Sequence, residues 1–136
     1  MIWQSLVEGS ESRFYFRITA ADMEAFVSVS GDENAVHTDD AYARQLGFDN
    51  RVVFGGLLVA KISRMIGMEL PGAGGVWSGL KLDFRSPLYV DEQASLTAEI
   101  TARSDSTKMI MLSLRIETDD RTIATGSADV IYLADD

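Results

Sequence analysis

Apolar positions along the chain fall into two regimes, a mixed first half with helical spacing and a second half with a period of two. Residues 13–18 (RFYFRI) place Phe14, Phe16 and Ile18 on one face of a half-buried strand. In TAADMEAFVSVSG the spacing lengthens, with Met23, Phe26 and Val27 on one helical face. Thr19 and Asp22 stand at capping-box positions before that face, and Gly31 can end the helix in a left-handed conformation. Residues 32–38 are then an ordered turn, and DDAYARQLGF a short second helix. Over residues 56–69, Leu57, Leu58, Val59, Ala60, Ile62, Met65 and Ile66 cover most of the helical circumference, the pattern of a buried helix.

PGAGG at residues 71–75 interrupts the chain, and the period changes after it. VWSGLKLDF, ASLTAEITAR, KMIMLSLRIE and TIATGSADVIYL are strand-like runs, separated by Pro87 and by the SDST and TDDR turns. One buried helix followed by at least four antiparallel strands predicts an α+β layout, a sheet curled around a central helix. Met65, Met68 and the strand aromatics are assigned to the core. No repeat, low-complexity tract or linker divides the 136 residues, a length suited to one domain.

Composition narrows the function. Twelve Lys+Arg against 21 Asp+Glu leave a formal charge of −9, and the basic residues are scattered, which argues against nucleic-acid binding. The absence of cysteine removes disulfides, thiolate metal sites and a cysteine nucleophile, and fits a reducing compartment. The first residues, MIWQSLVEGSESR, lack the basic start and apolar run of a secretory signal. The longest apolar stretch is broken by Lys61 and Arg64, whereas a membrane span needs about 20 mostly apolar residues. A cytoplasmic protein that neither spans nor anchors to a membrane is expected.

The chain holds one histidine, His37, five positions after Asp32 in SGDENAVH. No recognisable metal-ligand spacing surrounds it, no serine sits in a G-x-S-x-G elbow, and GAGG precedes a strand instead of opening a helix. Asp32 and His37 can converge on one small molecule if the turn folds back, with Asn34 between them to orient either by hydrogen bonding. Downstream, Gly55 and Gly56 precede the apolar helix, whose first amides have no intrahelical partner and can hold a negative oxygen. Taken singly, each of these features reads better as a capped turn, a surface histidine or helix punctuation. Together they are a kit for chemistry beside a carbonyl.

FVSVSGDENAVH, continued by TDDAYA, resembles the signature S-G-D-x-N-P-[LIV]-H of the MaoC-like (R)-specific enoyl-CoA hydratases, with Ala43 as its following small residue. VVFGGL stands where that family has [IV]-V-H-G-M-L, its next serine falls on Ser63, and its L-P-G-x-G loop on residues 70–74. The likeness runs from Phe14 to the last strand. It implies a single hot-dog domain over residues 1–136 and reversible addition of water to a 2-enoyl-CoA thioester, giving an (R)-3-hydroxyacyl-CoA. It further implies that Asp32 and His37 share a catalytic water, that the Gly55 amide binds the thioester oxygen, and that Asn34 and Ser63 support them, Ser63 from the central helix near Asp32. No metal and no cofactor is implied beyond the coenzyme A carried by the substrate, and the expected assembly is a homodimer.

Three positions depart from the pattern. Ala35 replaces proline, Phe54 replaces the histidine before the oxyanion glycine, and Gly56 replaces methionine. The second change removes a polar contact and the third alters the helix start and the substrate tunnel. A hot-dog thioesterase using Asp32, and a non-catalytic acyl-thioester-binding domain, are the rival readings. Coenzyme A is favoured over acyl carrier protein, since an acidic carrier needs a larger basic patch. Arg44, Arg51, Lys61 and Arg85 are candidate phosphate contacts. Gly55→Pro is expected to delete the amide donor and to distort the helix start.

Overall fold

In the second half of the chain, burial alternates as the sequence pattern requires. Ile110, Leu112, Leu114 and Ile116 are buried, whereas Met111, Ser113 and Arg115 between them face water. The computed structural model, which describes residues 2–134, arranges this run as one strand of an antiparallel sheet. In chain order the elements are α1 (Ile2–Ser5), β1 (Glu11–Phe16), α2 (Ala20–Ser30), α3 (Ala35–Thr38), α4 (Asp40–Gln45), α5 (Gly55–Arg64), β2 (Gly75–Phe84), β3 (Ala94–Ser104), β4 (Met109–Glu117) and β5 (Thr122–Tyr132). The five strands lie in the order β1-β3-β4-β5-β2, so β1 and β2 are the two edges.

The inner face of the sheet and α5 enclose one apolar core. Ile62 and Met65 from the helix, and Leu96, Ile100, Leu112 and Ile116 from the sheet, are inaccessible to water. Each buried aliphatic side chain of this kind contributes about 1.5–3 kcal/mol. A π-helical turn at Met65–Glu69 extends α5, so the central helical segment ends where the apolar pattern ends.

Two expectations about this helix need correction. It is not buried all round: Leu57 and Val59 are only partly covered, and Ala60, Ser63 and Arg64 are exposed. The sheet curls around one side of the helix, and α2 crosses only near its start. Met68, assigned to the core from its spacing, is 76% exposed, because the wider turn carries it away from the sheet. Ile18 lies beyond the end of β1 yet is fully buried. Among the described residues no helix is long and apolar enough to cross a membrane.

Candidate active site

The turn between α2 and α4 is built by local polar bonds. Thr19 and Asp22 form both halves of a capping box that starts α2, and Gly31 ends it at φ 75°, where a Cβ would be strained. Ser30 Oγ donates to the Phe26 carbonyl (2.7 Å) and accepts from the Asp32 amide (3.0 Å). Asp32 Oδ1 accepts from the Asn34 amide (3.0 Å), and Asn34 Oδ1 from that of Val36 (3.2 Å), capping α3. Ser30, Asp32 and Asn34 therefore each hold the backbone two residues further on. Asn34 orients both partners, its backbone holding Asp32 and its side chain starting the helical turn that bears His37.

His37 points into the fold and is half-buried. Its Nδ1 lies 2.6 Å from the carbonyl oxygen of Val52. A carbonyl oxygen only accepts, so Nδ1 carries the proton and the neutral ring presents an unprotonated Nε2. Val52 is itself fixed, its amide donating to Val36 O (3.0 Å) while it bridges to Tyr89. Val53 donates to Leu88 O (2.8 Å). The backbone thus sets both the tautomer and the aim of the imidazole.

Beside His37 opens a cavity of about 420 Å³, mostly apolar, whose walls include Val53, Gly55, Leu58, Phe84 and Leu88. Gly55 is the first residue of α5, and neither its amide nor that of Gly56 donates to another described residue. A base with a free lone pair and an unpaired helix-start amide therefore border the same space. A second depression, of about 350 Å³, lies along β1 between Arg13, Tyr15 and Glu117. It has no histidine in its lining.

The two altered glycine-motif positions are coupled through Phe26. A Cβ on Gly56 would lie 2.3 Å from Phe26 Cζ, so glycine is needed for the close approach of α2. Phe26 then packs at a tilt on Phe54 (centroids 4.6 Å apart), and Phe54 likewise on His37 (4.2 Å). Phe54 thus replaces a polar neighbour with a ring contact that backs the imidazole. Gly56→Met is expected to displace Phe26 and cost about 1–3 kcal/mol of stability by overpacking, read as a lower urea midpoint.

Of the other expected site residues, Asp32, Asn34 and Ser63 are exposed, and none of the three lines the cavity. Asp32 has one carboxylate oxygen engaged by Asn34, and its Oδ2 bonds no described residue. Ser63 is exposed on α5, and its side chain makes no hydrogen bond among the described residues, to the Asp32 turn or elsewhere. Among the described residues no group of three or more His, Cys, Asp or Glu side chains is placed to hold a metal ion.

Sequence reading missed the group that holds the cavity wall. Both Nη atoms of Arg121 bond the Glu92 carboxylate, and Nε and Nη2 also donate to Pro87 O (3.2 and 2.8 Å). Bonding to Glu92 raises the Arg121 pKa above its ordinary value, against the opposing effect of burial. The clamp ties the segment carrying Leu88 and Tyr89, which in turn holds residues 52 and 53. Arg121→Met leaves Glu92 partly buried without its partner, and is expected to cost about 1–3 kcal/mol in urea unfolding. No local pattern announces a pair 29 residues apart.

Comparison with known proteins places this geometry. A family model described as MaoC like domain matches residues 8–121. The curated (R)-specific enoyl-CoA hydratase of Aeromonas caviae is 35% identical over 130 residues, covering 96% of this chain and 97% of that protein. The mitochondrial 3-hydroxyacyl-[acyl-carrier-protein] dehydratase of Arabidopsis thaliana is 38% identical over 94 residues, 68% of this chain and 55% of that one. Among solved structures, the Aeromonas caviae (R)-hydratase involved in PHA biosynthesis superposes with a TM-score of 0.89 at 34% identity, over 94% of this chain and 98% of that chain. The unliganded R-hydratase of Pseudomonas aeruginosa gives a TM-score of 0.89 at 27% identity, over 98% and 86% of the two chains.

Proposed function

The chain belongs to the MaoC-like domain family, a hot-dog fold, and from that premise we propose that it is an (R)-specific hydro-lyase. It adds water reversibly to a 2-enoyl-CoA thioester to give an (R)-3-hydroxyacyl-CoA. The observation that carries this reading is His37, whose Nδ1 is bound to the Val52 carbonyl beside a cavity that Gly55 also lines.

In the forward direction, His37 Nε2 takes a proton from water as the water oxygen bonds C3. The C2=C3 electrons move onto the thioester oxygen, which the Gly55 amide holds as an enolate. The thioester re-forms as C2 takes up a proton from the Asp32/His37 pair. Asp32 acts through its free Oδ2, positioning the water. Asn34 keeps both groups on one turn, and Phe54 fixes the plane of the ring. Ser63 has no partner that ties it to these steps and is given no part in them. The reaction as written needs no group beyond the coenzyme A of the substrate.

We assign the assembly as a homodimer. Supporting this is the ten-residue strand β2, an edge with no partner on its outer side among the described residues, and two residues in inner-face register on it, Leu80 and Phe84, that are 40% and 57% exposed. Sedimentation should give the mass of two chains.

The deciding experiment follows the enoyl absorbance of crotonyl-CoA and of longer enoyl-CoA esters. Its loss without free thiol supports the hydratase. Thiol release without hydration supports the thioesterase, and saturable binding without turnover supports an acyl-binding domain. The replacement of the family histidine by Phe54 is what keeps the last outcome in view.

A further inference from the structure

The Val52 carbonyl keeps the proton of the neutral His37 ring on Nδ1. Were that carbonyl to move away, the ring could carry its proton on Nε2 instead, and such an Nε2 donates but cannot take a proton from water. The placement of Val52 O thus decides whether His37 is a base. Yet Val52 lies in residues 46–54, which form no helix and no strand beyond the single bridge at Val52.

This connection is pinned from two directions. From α3 and α4 come Val36 O, which accepts from the Val52 amide (3.0 Å), and Asp40 Oδ1, which accepts from the Arg51 amide (3.0 Å). Arg44 of α4 also donates through Nε to Asp49 O (3.2 Å). From the other direction, Leu88 O accepts from the Val53 amide (2.8 Å), and the backbone of Tyr89 bridges to Val52. Tyr89 Oη then accepts from the Asp49 amide (3.1 Å), the one side-chain hydrogen bond from residues 85–93 to residues 46–54 among those described. Tyr89 is itself held by the Arg121–Glu92 pair. Its amide donates to Glu92 Oε1 (3.1 Å), the Glu92 amide donates to Tyr89 O (3.2 Å), and the Arg121 guanidinium lies 5.6 Å from the centre of the tyrosine ring. Arg121 directly precedes β5, an interior strand, so a chain of contacts runs from the sheet through Glu92 and Tyr89 to Val52. Tyr89 does not line the cavity beside His37, and it reaches the chemistry only through that chain.

We infer that Tyr89 is a positioning residue of the reaction, holding residues 49–53 so that Val52 O keeps the proton on Nδ1 and leaves Nε2 free to take the proton of water. The inference rests on the hydratase reading for its kinetic readout alone. His37 is the chain's one histidine, so isotopic labelling of histidine nitrogen shows a single imidazole by NMR. At alkaline pH, where imidazole is neutral, Nε2 of the wild type should resonate as an unprotonated nitrogen. Tyr89→Phe removes the hydroxyl and keeps the ring. In that variant the Nε2 signal should move toward the protonated position. Its kcat for crotonyl-CoA should fall about three- to tenfold, the scale of one neutral hydrogen bond, with KM unchanged. Ile116→Val, a trim of the buried core on β4, is the control: it should lower the urea midpoint and leave the Nε2 signal in place. A wild-type Nε2 signal or a wild-type kcat in Tyr89→Phe overturns the assignment, as does an equal shift in the control. If wild type hydrates no enoyl thioester, the functional reading fails, and the spectra alone decide whether Tyr89 sets the tautomer.

Discussion

His37→Asn is expected to lower kcat/KM for crotonyl-CoA hydration by about 10²–10⁴-fold, the usual range for loss of a general acid–base group. Asparagine is the informative replacement. Its amide nitrogen stands near the position of Nδ1 and can still donate to the Val52 carbonyl, so the link between α3 and residue 52 survives. What disappears is the lone pair at Nε2. Asp32→Asn is a parallel case, because its carbonyl oxygen can still accept from the Asn34 amide while the negative charge is lost. That variant should fall by at least about 10²-fold. Both should unfold near the wild-type urea midpoint. Turnover within a few-fold of wild type in either folded variant would remove that residue from the mechanism.

Gly55→Pro should cost about 10²–10³-fold in kcat, the loss typical of one oxyanion donor. Here the structure overturns the expectation that proline also distorts the helix. Gly55 is the first residue of α5, where the missing N–H breaks no intrahelical bond and the fixed φ suits the helix. The preceding residue, Phe54, is already extended at φ −59°, ψ 132°, as a residue before proline must be. The remaining obstacle is steric, since a Cβ at Gly55 would approach Phe84 Cζ to 2.8 Å. Phe84 is 57% exposed on the edge strand β2. Gly55→Ala meets the same ring but keeps the amide, so it separates bulk from hydrogen bonding. A folded Gly55→Pro protein with the kcat of Gly55→Ala would refute the oxyanion role.

Local signals carried much of the fold. The four long strands begin and end within a residue or two of the alternating runs, because a period of two needs only neighbours along the chain to declare an exposed and a buried face. The capping box at Thr19 and Asp22 and the left-handed Gly31 were likewise legible, since each closes bonds within a few residues. The helix at residues 56–69 was found in place, but its burial was overread. Hydrophobic periodicity gives the width of the apolar face, whereas the reach of the sheet around it depends on how five strands pair and curl.

The candidate site divides the same way. SGDENAVH and VVFGGL were recognisable as strings, and the polar bonds that shape the first are local. That Val52 fixes the proton on His37 was not recognisable, nor that Phe26 takes the space a side chain at residue 56 would fill. The sequence by itself determined the α+β class, the borders of the four long strands and the family, and it singled out Asp32 and His37 as the candidate acid–base pair. Only the tertiary structure decided which nitrogen of His37 is free, which wall Gly55 shares, and why Phe54 and Gly56 occur together. Those answers are contacts between residues up to tens of positions apart, and such contacts are fixed by the path of the chain through the core, which no local pattern of side chains encodes.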